Sequence, residues 1–258
     1  MTSRQIDLNS DLGEGFGPWP MGDDETMLSL VTSANVACGG HAGDSETMFR
    51  TLSIAAANDV NVGAHPGYVD REGFGRRIIP MANEEIGRMV AAQIGALQAL
   101  AAMVPTPVNY VKPHGALGNF AARDADVSKA IVDAVQRIDE SLAILAISGT
   151  QLEVAAKAAG MRVFSEIFAD RGYQPNGQLV PRGERGAMIE DPAEATDRLV
   201  GFLETGMMPV VGGEPIALDA HSICVHGDSD HAVDMARQIR AGLLAENIEL
   251  TGFVSNAS

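Results

Sequence analysis

Short apolar runs that read as β-strands end, all along this chain, in polar residues capable of chemistry, and helical patterns separate them. Four of the six histidines follow such runs directly: Asn35-Val-Ala-Cys-Gly-Gly-His41, Val62-Gly-Ala-His65-Pro66, Tyr110-Val-Lys112-Pro-His114-Gly115 and Cys224-Val-His226-Gly-Asp228. Ile6-Asp-Leu-Asn9-Ser-Asp11-Leu-Gly-Glu14 and Phe164-Ser-Glu166-Ile-Phe-Ala-Asp170-Arg171 repeat the pattern with carboxylates. Alternating β and α elements with right-handed crossovers give parallel strands, in an open doubly wound sheet or a closed barrel. Polar groups at the end of almost every strand favour the barrel, whose mouth would collect imidazoles, carboxylates and one lysine from six strands.

The helical segments carry their own marks. Asp44 is placed to cap a helix with Met48, Leu52 and Ala55 or Ala56 on one face. From Asn83 onward, Ile86, Met89, Val90, Ile94 and Leu97 form an i, i+3, i+4 stripe, and residues 126–138 repeat it with Val127, Ile131, Val135 and Ile138. Thr150-Gln-Leu-Glu153 matches a capping box, with Gly160 at the left-handed C-cap position. Asp191-Pro192-Ala-Glu194 opens a further helix that Gly206 closes, and residues 230–246 form the last one. Residues 162–165, Val210-Val211 and residues 222–225 are the late strand candidates. No repeat, linker or low-complexity tract interrupts the series, so residues 1–258 read as one domain.

A net charge of −16 argues against a nucleic-acid or anionic-membrane partner, because phosphates would be repelled before contact. An anionic substrate would meet the same repulsion, so its site needs local cations: Lys112, Arg171, Arg182 and the pair Arg76 and Arg77 lie outside obvious helices. Cys38 and Cys224 lack any CxxC spacing and read as reduced, Cys38 as a small buried hydrophobe. The start of the chain has no signal-peptide core and no apolar stretch reaches the roughly 20 residues of a membrane span, which suggests a cytoplasmic protein. No GxxxxGK[ST] loop is present, and Gly13-Glu-Gly-Phe-Gly17 has the wrong spacing for a dinucleotide fingerprint.

Seven ordered motifs resemble those of the LamB/YcsF family over nearly the whole chain: Asp7-Leu-Asn9-Ser-Asp11-Leu-Gly-Glu14, Asn35 to Asp44, Gly63-Ala-His65-Pro66, Gly73-Phe-Gly-Arg76, Val111-Lys112-Pro-His114-Gly-Ala-Leu, Phe168-Ala-Asp170-Arg171-Gly-Tyr173 and Cys224-Val-His226-Gly-Asp228. Two positions depart from the family pattern, which usually has an aromatic at Gly40 and a tyrosine at Gly118; missing rings there would widen a pocket. The resemblance implies a distorted seven-stranded βα barrel, TIM-like and of the glycoside hydrolase and deacetylase type. It also implies opening of the 5-oxoproline (pyroglutamate) lactam to glutamate, with ATP as cosubstrate of a complex and with further subunits B and C. A homo-oligomer is compatible with the sequence.

On the residues themselves, base or acid duty falls to His41, His65, His114 or His226, with Asp11, Asp44 and Asp228 as orienting carboxylates. Lys112 could neutralise an oxyanion or a phosphate, and Arg171 or Arg182 could clamp a substrate carboxylate. Asn9, Glu14, Glu166 and Asp170 complete the expected substrate contacts. Asp11, His41 and His65 could instead form a triad for a divalent metal. His221 and His231 read as structural, and residues 170–185 read as a lid or a simple surface loop. Two rival functions stand beside the lactam-opening one: a metal-dependent deacetylase of small amides or sugars, and a non-catalytic subunit that captures the lactam.

Overall fold

In a computed structural model, described over residues 4–227 and 231–254, strands and helices alternate as the sequence suggests. The first half runs β1 (Arg4–Leu12), α1 (Asp24–Leu28), β2 (Ser33–Ala37), α2 (Ser45–Ala57), β3 (Asn61–His65), α3 (Asn83–Ala101), β4 (Val108–Val111), α4 (Gly115–Ala121) and α5 (Ala125–Ile138). The second runs β5 (Ala143–Ile147), α6 (Gln151–Ala158), β6 (Val163–Phe168), α7 (Pro192–Thr205), β7 (Met207–Met208), β8 (Ile216–Ala217), β9 (Ser222–Cys224), α8 (Ala232–Ala245) and β10 (Ile248–Leu250). Strands β1 to β6 pair in sequence order, and β9 pairs with both β6 and β1, closing a parallel barrel of seven strands. β10 adds to the outer start of β1, and β7 with β8 makes a separate antiparallel pair. Among the described residues no helix is long and apolar enough to cross a membrane.

Parallel strands are covered on the outside by helices, which is why they read as continuous apolar runs. The helix stripes fill that layer: Ile86, Val90, Ile94 and Leu97 of α3, Val127, Ile131 and Val135 of α5, and Ala236, Ile239 and Leu243 of α8 are buried. Truncating one of the larger of these to alanine should cost about 2–5 kcal/mol. Local marks hold at several ends: Asp44 and Asp191 accept backbone N–H groups as helix caps, and Gly160 and Gly206 take left-handed φ values of 72° and 71°.

Four expectations change. Val210-Val211 is not a strand; its neighbours Met207–Met208 and Ile216–Ala217 pair instead, because the chain reverses between them. The sixth strand runs to Phe168, since its partner β9 continues the ladder to Cys224. The capping box at Thr150 does not form: Thr150 Oγ1 donates to the Ile147 carbonyl, and Glu153 accepts from Gly149 N. Helix α4, behind Pro113 and His114, has no counterpart in the sequence pattern.

Inside the barrel, polar side chains stack from floor to mouth. Thr32, Ser33 and Ser222 donate hydroxyls to Asp7; Asn9 Nδ2 donates to Ser222 Oγ at 2.6 Å; Asn35 Nδ2 donates to Asn9 Oδ1 at 2.7 Å and to Asp11 Oδ1 at 2.8 Å. Tyr110 reaches Asn35 Oδ1 with its hydroxyl at 2.8 Å, across Gly63, where a Cβ would stand 2.2 Å from the tyrosine ring. Complete burial pushes the Asp7 carboxyl up to about 6, against the hydroxyls that favour its charge. A carboxyl raised in the folded state contributes stability that is present below its unfolded pKa and is lost as pH rises through the folded one. Between pH 4 and pH 7 this group should therefore cost the fold about 3 kcal/mol. Asp7→Asn should remove that slope, which urea melts at pH 5 and pH 8 would read; identical slopes in both proteins would contradict it.

Candidate active site

A cavity of about 610 Å³ opens at the C-terminal ends of the barrel strands. Asp11 at the end of β1, His65 at the end of β3, Lys112 and His114 after β4, Glu166 near the end of β6 and His226 after β9 all line it. Polar residues sit there because the ladder ends at this rim, and the loops that follow supply the remaining walls.

Lys112 holds the centre. Its Nζ lies 2.7 Å from Glu166 Oε1, 3.0 Å from Asp11 Oδ1, 3.2 Å from Asn9 Oδ1 and 3.1 Å from Cys224 Sγ. Burial disfavours the ammonium, but Asp11 and Glu166 outweigh it and hold Lys112 well above the ordinary lysine range. Burial likewise opposes the charge on Asp11, and His65 and Lys112 outweigh it, so Asp11 stays well below the usual carboxylate range. Glu166 goes the other way: complete burial, with Asp11 beside it, raises it despite Lys112. The ion pair is close, yet neither Glu166 oxygen has a well-directed hydrogen bond. Their surroundings thus push the two carboxyls apart, Asp11 toward its charged form and Glu166 toward its neutral one.

Beside this group, three imidazoles gather. His65 Nδ1 donates to the Lys112 carbonyl at 2.6 Å, His114 Nε2 donates to the Phe74 carbonyl at 2.8 Å, and His41 Nε2 lies 3.1 Å from Glu14 Oε1. His41 and His114 stack in parallel with centroids 3.6 Å apart. Burial first, then His65, pushes His114 down to about 3; burial, His114 and His65 hold His41 well below the usual range. The 73–75 turn packs over them. Phe74 takes φ 52°, and at Gly75, φ 60°, a Cβ would stand 2.7 Å from His41 Cβ, so only glycine allows this approach.

His226 also lines the cavity, and its Nδ1 contacts both oxygens of Asp170, at 2.8 and 2.7 Å. Burial opposes the Asp170 charge, and His226 overcomes it, keeping that carboxyl low. A carboxylate on Nδ1 fixes the hydrogen there and leaves Nε2 as the basic nitrogen.

Several expected contacts lie elsewhere. Asp44 stays outside the cavity, accepting from Glu46 N, Thr47 N and Gly17 N as a helix cap. Asp44→Ala should cost about 1 kcal/mol of stability and leave the KM of the enzyme unchanged; a several-fold rise in KM with normal stability would restore it to the site. Asn9 is buried behind Lys112 and does not line the cavity, so it positions the lysine. His41 also stays out of the lining, behind His114. Asp228 falls outside the described residues. Gly40 does not border the cavity; the Gln93 amide, bonded to Gly67 N and O, fills its place, and no widening results. Gly118 does line it, but a Cβ there would meet the Pro113 carbonyl at 2.6 Å.

Arg171 is buried and donates to the carbonyls of Val180 and Ala187, which ties down the loop whose residues 174, 176 and 178–182 wall the cavity. Burial, then Arg182, lowers it to about 10, so it stays cationic. That loop is a wall of the site rather than a plain surface loop. Arg182, Arg76 and Arg123 border the cavity too, whereas Arg77 pairs with Asp70. Asn119 on α4 and Gln174 and Gln178 of the loop, also on the wall, are residues the sequence reasoning missed; nothing local marks an amide that only the folded chain turns inward. Cys38 is buried, and burial pushes its thiol up to about 12, which suits packing. His221 accepts from Ser165 N, a structural contact.

The metal triad expected from sequence is not the group the fold assembles most tightly: Glu14, His41, His65 and His114 offer ligand atoms within 4.8 Å of one another and could hold a metal ion, while Asp11 gives its Oδ1 to Lys112.

The chain is 47% identical, over 99% of its length and all of the relative, to a 5-oxoprolinase A-type subunit of Pseudomonas syringae pv. tomato. It is 50% identical to the 5-oxoprolinase A-type subunit of Paracidovorax citrulli, covering 96% of this chain and 99% of that one. The crystal structure of the lactam utilization protein from Thermus thermophilus superposes with a TM-score of 0.90 at 39% identity, over 96% of this chain and 99% of that one. The LamB/YcsF family model matches residues 6–258, and the chain belongs to that family.

Proposed function

We propose that the chain is the A-type subunit of a 5-oxoprolinase, a hydrolase that opens the cyclic amide of 5-oxoproline to glutamate with ATP as cosubstrate and with subunits B and C. The observation that carries this reading is a buried ammonium between two carboxylates, with an aspartate-held histidine lining the same cavity. The names of its relatives support the substrate. So do the arginines 76, 123, 171 and 182 along the wall, which offset a −16 chain where a substrate carboxylate would bind.

An unstrained lactam is a weak electrophile, so phosphorylation of its oxygen by ATP comes first, with the nucleotide handled together with the partner subunits. Water then adds to the ring carbon while His226 Nε2 takes its proton. The C–N bond breaks as the nitrogen gains a proton, from Glu166 or from His226 now protonated. A second water hydrolyses the resulting acyl phosphate to glutamate and inorganic phosphate. Lys112 neutralises charge on the phosphorylated oxygen. An acceleration near 10⁸ needs about 11 kcal/mol; a placed base gives about 10²- to 10⁴-fold and one cation about 3 kcal/mol, leaving orientation to supply the rest.

The test is reconstitution with subunits B and C, following glutamate and phosphate from 5-oxoproline and ATP. Glutamate should form only when this chain is present. Release by B and C alone would make it a capture subunit, and ATP-independent turnover of N-acetylated amides or sugars would favour a deacetylase.

A further inference from the structure

Strand β6 ends at Phe168, and Ala169 N makes the last bond to β9, to the Cys224 carbonyl at 2.9 Å. The carbonyls from Phe168 to Arg171 need partners from elsewhere. One guanidinium takes three of them: Arg198, on α7, donates from Nη2 to Phe168 O at 2.6 Å and to Ala169 O at 2.8 Å, and from Nη1 to Arg171 O at 2.8 Å. The fourth, Asp170 O, accepts from Ile189 N at 2.9 Å. The carbonyls immediately before and after Asp170 are therefore fixed to a single rigid group. Asp170 in turn is the carboxylate on His226 Nδ1, so a chain of three contacts runs from α7 to an imidazole in the cavity wall. A planar fork with its donors in fixed relation can bracket a residue in this way, whereas an ammonium is a single point. Helix α7 brings the fork there by packing Ala195, Leu199 and Phe202 into the core, with Arg198 half-buried beside Leu199.

We propose that Arg198 is a positioning residue of the active site: by bracketing Asp170 it keeps that carboxylate on His226 Nδ1 and leaves Nε2 as the nitrogen without hydrogen. A shift of about 1 Å in the Asp170 backbone would stretch the contact to His226 past hydrogen-bond length and free the ring to change tautomer. The effect on turnover rests on the part given to His226 under the proposed function; the effect on the tautomer does not. Arg198 Nε is buried without a partner, and an unmet donor offsets part of what the three carbonyl bonds contribute to the fold. Loss of the side chain should therefore be felt more in the geometry of Asp170 than in stability.

The test has two readouts. In the full chain alone, ¹⁵N spectra of the histidine rings, taken at a pH where imidazole is neutral, report which nitrogen of His226 carries hydrogen, with the His226→Gln chain assigning the signal. The parent should show the Nδ1–H form, and Arg198→Met should lose part of that signal to the Nε2–H form. In the proposed assembly with subunits B and C, Arg198→Met should lower kcat by about 10- to 100-fold with KM within about twofold of the parent. The same substitution made in an Asp170→Asn chain should cost less than about twofold more, because the contact through which Arg198 acts is already gone. Thermal melts check the fold; if Arg198→Met does not fold, Arg198→Lys, which keeps the charge but cannot bracket Asp170, decides by the same readouts. An unchanged tautomer in the folded variant, an equal loss with and without Asp170, or a loss confined to KM would overturn the proposal. Should the assembly not turn over 5-oxoproline at all, the reading of the reaction fails, and the ring spectra still decide the role of Arg198.

Discussion

Lys112→Met should destabilise the fold by about 3–5 kcal/mol, because it strands Asp11 and Glu166 as neighbouring buried carboxylates with no cation between them. Methionine keeps most of the lysine's length, so packing loss contributes little. The cost comes from charge, and a second substitution should show it: adding Glu166→Gln to Lys112→Met should recover part of the stability, since only one carboxylate then remains. Denaturant unfolding of the parent, the single and the double variant measures the coupling. A Lys112→Met chain as stable as the parent would mean that the ammonium is not the keystone of the site, and an additive double variant would deny the contact.

The second large effect concerns a single proton. Asp170 holds hydrogen on His226 Nδ1 by accepting from it. In Asp170→Asn the side-chain amide can donate to Nδ1 and turn the ring to the other tautomer, with Nε2 carrying the hydrogen. The base would then face the cavity with nothing to accept a proton. Turnover in the reconstituted enzyme should fall by about 10²- to 10⁴-fold with the fold intact. Asp170→Glu, which keeps the acceptor, should lose less. Equal losses in both variants would assign Asp170 to packing instead.

Much of this was legible along the chain because a parallel barrel writes its mouth at the ends of apolar runs. His65, Lys112 and His226 each follow such a run and each line the cavity. What could not be read is which group meets which. The pairing of His226 with Asp170 depends on β9 lying beside β6, set by the register of Phe168 against Cys224, which lie far apart in the chain. Asp44 misled because a carboxylate that caps a helix and one that serves a site look alike in sequence; the loop turns it to the α2 amides. Asn9 and Asp11 alternate on one strand and share Lys112, yet the lysine's position leaves one behind it and the other at the surface of the cavity. Gly40 shows the limit of reading a missing ring as empty space, since Gln93, from a helix well downstream, fills it.

The role of the strand-end histidines as chemical groups, rather than anchors, is tested most directly by the kinetics of His226→Gln in the proposed assembly with subunits B and C. If His226 moves the proton, kcat falls by about 10²-fold or more while KM for 5-oxoproline stays near the parent value. A normal kcat at saturating substrate, with only KM raised, would contradict the account and leave His226 a binding contact.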